Sequence, residues 1–144
     1  MNLYLIDVIL IRSLANEVQL LESQWSLLKE VKAINNNHIE ALAEAPADSP
    51  WFSGHFPGEP ILPGIALVHI VKQAITADAL KKGANLQLHA LRRVRFTQPV
   101  RPGDILSVSI TAEDAGDDIL FSFKVAKKKN VVCSGMISAK KKKE

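Results

Sequence analysis

Residues 49–83 read SPWFSGHFPGEPILPGIALVHIVKQAITADALKKG, and the change of character inside this stretch decides the fold. Up to Gly64 it is dense in turn residues, with Gly54, Gly58 and Gly64 set among Pro50, Pro57, Pro60 and Pro63. Beyond Gly64 the chain runs about five helical turns without proline or glycine and stops at Gly83, a natural helix C-cap. Ile65, Leu67, Val68, Ile70, Val71, Ala74 and Ile75 point in almost every direction around that helix, a pattern that predicts a buried element rather than a surface one.

Strand patterns follow the helix. LQLHALRRVRFTQPV (86–100) is long and carries three arginines, and RPGD (101–104) is a turn. ILSVSITAED (105–114) alternates, with Ile105, Ser107 and Ser109 on one face and Leu106, Val108 and Ile110 on the other. ILFSFKVAKKK and VVCSGMISA continue an antiparallel meander, with turn signals every dozen or so residues. Before the helix, HIEALAEA reads as a strand after the NNNH turn at 35–38. Residues 14–32 fit an amphipathic helix, although the overlapping WSLLKEVKAI (25–34) fits a strand equally well. The expectation is α+β: one domain over residues 1–144, an antiparallel sheet wrapped around one long central helix. Such a sheet keeps edge strands, and joining two copies edge to edge would cover one set.

A chain of 144 residues with 47% hydrophobic and 23% charged residues can build a real core. The single cysteine, Cys133, rules out an internal disulfide and lies in a strand-like run, so it reads as a buried thiol in a reducing compartment. The apolar N-terminal LYLIDVILI is far shorter than the roughly 20 residues a membrane helix needs, and no basic region precedes it. A cytoplasmic protein with no membrane insertion is the expectation. The net charge of +3 comes largely from Lys127–Lys129 and a basic tail over 140–144. With no aromatic interleaving or helix-turn-helix pattern, nucleic acid is not an expected partner, whereas an acidic protein is.

The run WFSGHFPGEPILPG (51–64), continued by LRRVRFTQPVRPGDIL (91–106), resembles the 3-hydroxyacyl-[acyl carrier protein] dehydratases of type II fatty acid synthesis. The resemblance covers residues 37–139 and is strongest over Gly54–Gly64. It implies a hotdog fold and water elimination from a 3-hydroxyacyl thioester, with no cofactor beyond the phosphopantetheine that carries the substrate. It also implies a homodimer with shared active sites, which can assemble further. His55 would be the base that removes the C2 proton, a task suited to neutral imidazole. The Gly64 amide, opening the helix, would hold the thioester oxygen as charge develops there. Phe56, Pro63, Ile65 and Gln73 would line the substrate, with Gln73 matching a glutamine that members carry at this point of the helix.

Two departures stand out. The family places Glu or Asp fourteen residues after the histidine, and here that position is His69 (69 − 55 = 14). A protonated imidazole is a competent acid, but a buried helix and its positive N-terminal end both disfavour the cation. Two readings therefore stand for His69: an atypical catalytic partner, or a core histidine satisfied by a backbone carbonyl. The second departure is residues 1–34, which lack the proline-histidine-arginine element of housekeeping members. Arg92, Arg93, Arg95, Arg101 and Lys72 are candidates for the patch that meets acyl carrier protein, or else solvated charges. His38 and His89 read as structural or exposed. His55, His69 and Glu59 lack diagnostic metal-ligand spacing, so no metal is expected. Beside the dehydratase stand two alternatives: a catalytically weak acyl-binding or partner subunit, and an acyl thioesterase.

Overall fold

The computed structural model describes residues 25–53 and 58–142. Period-two alternation becomes structure most plainly in the strand Ile105–Ala115. Leu106, Val108 and Ile110 are sealed in the core while Ile105 stays exposed, as the sequence pattern expects. In chain order the elements are β1 (Leu28–Asn35), β2 (His38–Glu44), a short 3-10 turn (Pro50–Phe52), α1 (Gly64–Lys81), β3 (Leu86–Phe96), β4 (Ile105–Ala115), β5 (Asp118–Lys127) and β6 (Asn130–Lys141). The strands form one antiparallel sheet in the order β1-β2-β4-β5-β6-β3, leaving β1 and β3 as its edges.

The helix begins and ends where the punctuation residues put it. Pro63 is its N-cap, with extended backbone and no side-chain cap, and Gly83 follows its end with φ +71. Leu67, Ile70, Val71, Ala74 and Ile75 pack against Ile39, Val108, Ile110, Phe121, Phe123 and Ile137 in one core. Burying each large aliphatic or aromatic side chain is worth on the order of 1.5–3 kcal/mol. Curled around the helix in this way, the sheet forms the hotdog arrangement.

Three expectations need correction. The helix is not buried all round: Ile65 is 62% and Leu80 72% exposed, with Lys72 and Thr76 exposed between them on one stripe. One sheet covers only part of a helix, and apolar composition does not say which part is left. Residues 28–32 of the amphipathic-helix reading belong to β1 instead, and 14–24 lie outside the described residues. The basic run at 140–144 is not wholly a tail, because Lys140 and Lys141 pair with Gln87 and Leu86 at the end of β6.

The edge strand β3 is kinked. Its pairing with β6 slips between Arg92 and Arg95, and Arg93 sits at φ +53, as in a β-bulge. Opposite it, Gly135 has no room for a side chain: a Cβ there would lie 2.9 Å from Phe123 Cζ and 3.1 Å from the Val94 Cα. Cys133 is a buried β6 thiol, and burial pushes its pKa up to about 11.

Candidate active site

The segment leading into the helix is fixed from two sides. Leu62 N–H donates to the Val100 carbonyl at 2.8 Å, and Arg101 Nη1 donates to Glu59 Oε1 at 2.8 Å. Gly58, at φ +89, supplies the left-handed backbone this turn requires. These ties set residues 61–67 against 96–100 and leave between them an apolar cleft of about 650 Å³, reaching the helix N-terminus. Pro63, Gly64 and Ile65 line it, as does Phe96. The Phe96 ring rests on Gly64 so closely that a Cβ there would lie 2.7 Å from Cζ. Glycine at 64 thus does two things: it opens the helix and it admits this ring.

His69 lies four residues after Ile65 and Gln73 four after His69, so the three form one row along the helix. His69 is half-buried, not sealed in the core as its apolar surroundings suggested, because it borders the stripe the sheet leaves open. The indole of Trp51 lies beside it, with ring centroids 6.0 Å apart. Trp51 is held by the Ser49-capped turn at Pro50–Phe52, and its Nε1 donates to the Trp25 carbonyl at 2.6 Å. Trp25 packs edge-on against it at 4.7 Å. Gln73 Nε2 donates to Ser26 Oγ at 3.2 Å, while Gln73 Oε1 is buried with no hydrogen-bond partner among the described residues. A buried acceptor left without a donor costs about 1–3 kcal/mol, so this atom calls for one.

His55 and Phe56 lie outside the described residues. Of the other expected positions, Pro63, Gly64 and Ile65 meet at the cleft, and His69 and Gln73 share the row that starts from Ile65. The basic candidates are not one cluster. Arg92, Arg93 and Arg95 are exposed on β3, Lys72 faces outward from the helix, and Arg101 is engaged by Glu59. Glu59, once weighed as a metal ligand, is therefore part of an ion pair. His38 lies 3.4 Å from Glu40 and His89 3.3 Å from Asp118, which gives both strand histidines local partners. Sequence reasoning missed Phe96, Trp51, Trp25 and Ser26. Trp51 and Phe96 lie inside the two quoted runs, whereas Trp25 and Ser26 stand far from both.

A sheet curled around a helix that glycine opens at an apolar cleft defines a hotdog protein. The model of the ApeI-like family, described as ApeI dehydratase, matches residues 30–136, and the chain belongs to that family. It is 33% identical over 89 residues to the 3-hydroxyacyl-[acyl-carrier-protein] dehydratase FabZ of Syntrophobacter fumaroxidans, covering 58% of this chain and 60% of the relative's length. The FabZ of Oenococcus oeni is 29% identical over 113 residues, covering 73% of this chain and 81% of the relative. Among solved structures, the dehydratase heterocomplex ApeI:P from Xenorhabdus doucetiae shares the fold, with a TM-score of 0.66 at 18% identity over 85% of this chain and 86% of that one. Among the described residues, no helix is long and apolar enough to cross a membrane.

Proposed function

We propose that this chain is a dehydratase that eliminates water from a 3-hydroxyacyl thioester carried on acyl carrier protein, giving the trans-2-enoyl thioester. The observation that carries this reading is the row Ile65–His69–Gln73 rising from a glycine-opened helix N-terminus at an apolar cleft. The cleft suits an acyl chain. The Gly64 amide, at the positive end of the helix, suits the enolate oxygen that develops as C2 loses its proton.

In this reading His55 takes the C2 proton, the C2=C3 bond forms, and the C3–O bond breaks. The departing oxygen must gain a proton to leave as water. A protonated His69 supplies it directly. A neutral His69 supplies only a hydrogen bond, and the imidazolium formed at His55 is then the proton source. Either route balances without a cofactor. A homodimer fits the exposed Ile65, Leu91 and Phe96 around edge β3 and the helix start, which a second copy would cover. The exposed arginines of β3 suit an acidic carrier.

The test is conversion of 3-hydroxyacyl-pantetheine thioesters to enoyl products, or the reverse hydration, by the purified chain. Activity that disappears in His55→Ala supports the reading, and no turnover of any such thioester overturns it. The imidazole in place of a carboxylic acid favours one second reading, an acyl-binding chain of weak activity paired with an active homologue. Tight thioester binding without turnover is its signature.

A further inference from the structure

The far end of the Phe96 ring lies over Gly64, with no slack between them: a Cβ on that glycine would meet three ring carbons within 3.0 Å. The near end is anchored. Phe96 pairs with Cys133 on β6, and the next residue is tied to the same strand twice. Thr97 N–H donates to the Val132 carbonyl at 2.9 Å, and Thr97 Oγ1 donates to the Val131 carbonyl at 2.6 Å. The ring is 53% exposed and lines the apolar cleft together with Pro63, Gly64 and Ile65. It is therefore a wall with a fixed base, which can give way only by leaving its seat on the start of the helix.

We infer that Phe96 is a specificity-determining residue that favours acyl chains unbranched at C2. The inference rests on the thioester reading above and deepens it. In that reading the thioester oxygen meets the Gly64 amide and the chain runs into the cleft. C2 is then the first chain atom inside, one bond from the held carbonyl carbon, and the ring over Gly64 is the wall it passes. A straight chain presents only hydrogens there. A methyl branch needs a further carbon's width, and carbon atoms pack at about 3.5–4.0 Å. That room comes only from turning the ring off Gly64, which gives up the contacts of its buried half. One extra methylene in an apolar site is worth about 10–200-fold in discrimination, and a ring that can yield belongs at the low end.

The test is hydration of a trans-2-enoyl pantetheine thioester and of its 2-methyl derivative at one chain length, a pair with no stereocentre at C2. Loss of the conjugated absorbance gives kcat/KM for the wild type, Phe96→Leu and Phe96→Ala. The methyl group slows the addition chemically in all three alike, so the change of the ratio between variants isolates the ring. The preference for the unbranched compound is expected to fall about tenfold in Phe96→Ala, by better use of the branched one, and by a smaller factor in Phe96→Leu. A ratio that stays within about twofold of wild type in Phe96→Ala, as a merely structural role for the ring would give, overturns the inference. So does a branched compound that remains inert in both variants while the straight one is hydrated. Should Phe96→Ala not fold, an unchanged ratio in Phe96→Leu has the same force. If the wild type hydrates neither compound, the thioester reading itself fails, an outcome distinct from the others.

Discussion

Replacing Gly64 by alanine sets a stability effect against a functional one at a single atom. The new Cβ would lie 2.7, 2.8 and 3.0 Å from Phe96 Cζ, Cε1 and Cε2, too close for the ring to stay. Phe96 is 53% exposed, so it can swing away at the cost of its buried half. From the value of a fully buried phenylalanine, that half is worth about 1 kcal/mol. Alanine in place of glycine at a helical position returns up to about 1 kcal/mol. The single variant should therefore be within about 0.5 kcal/mol of wild type. In a Phe96→Ala background only the gain remains, and Gly64→Ala should stabilise by about 1 kcal/mol. Urea midpoints at constant slope measure all four corners of this cycle. Turnover should fall in Gly64→Ala by ten- to a hundredfold, roughly the penalty for misplacing a reacting group by about 1 Å. Effects that add within about 0.3–0.5 kcal/mol would refute the ring-on-glycine contact. Full activity in the stable single variant would refute the role given to the cleft mouth.

Four further outcomes are expected. His69→Glu restores a carboxylic acid in an intact register and should raise dehydration at least about tenfold, since a positioned acid typically contributes 10²–10⁴; a fall would mean that imidazole is the working partner. The Cys133 thiol, raised from 9.0 to about 11, stays neutral in the fold while the unfolded chain ionises. Stability should thus drop by about 1.4 kcal/mol per pH unit as pH rises from about 9 toward 11, and the difference between wild type and Cys133→Ala in alkaline denaturation measures it. Gly135→Ala presses on buried Phe123 and on the Val94 backbone, neither of which can swing out, and should cost about 1–3 kcal/mol; an unchanged melting temperature would contradict this packing. Leu91→Glu, on the exposed edge strand, should halve the mass seen by light scattering and abolish turnover if two copies share their sites.

The helix bounds were legible because Pro63–Gly64 and Gly83 are backbone statements, which hold whatever packs around them. Strand faces were legible wherever one side meets the core, as along Leu106, Val108 and Ile110. The orientation of the helix was not, since Ile65 and Leu80 are as apolar as Leu67 and only the reach of the sheet separates them. The site divides the same way. Gly64, His69 and Gln73 were marked by the family resemblance, whose register runs along a single helix. The contacts of Trp25 with Trp51 and of Ser26 with Gln73 join segments far apart in the chain, and no local period announces them.

The kink in β3 has a meaning for the protein in a crowded cell. A straight sheet border is a template on which any passing strand can grow, and growth from both sides makes fibres. Here the border is bent at Arg93 and carries Arg92, Arg93 and Arg95 exposed within four residues. A stranger's strand would meet like charge or a ladder that falls out of step halfway along. The bend and the charge together keep this border from serving as an open-ended template for strand addition.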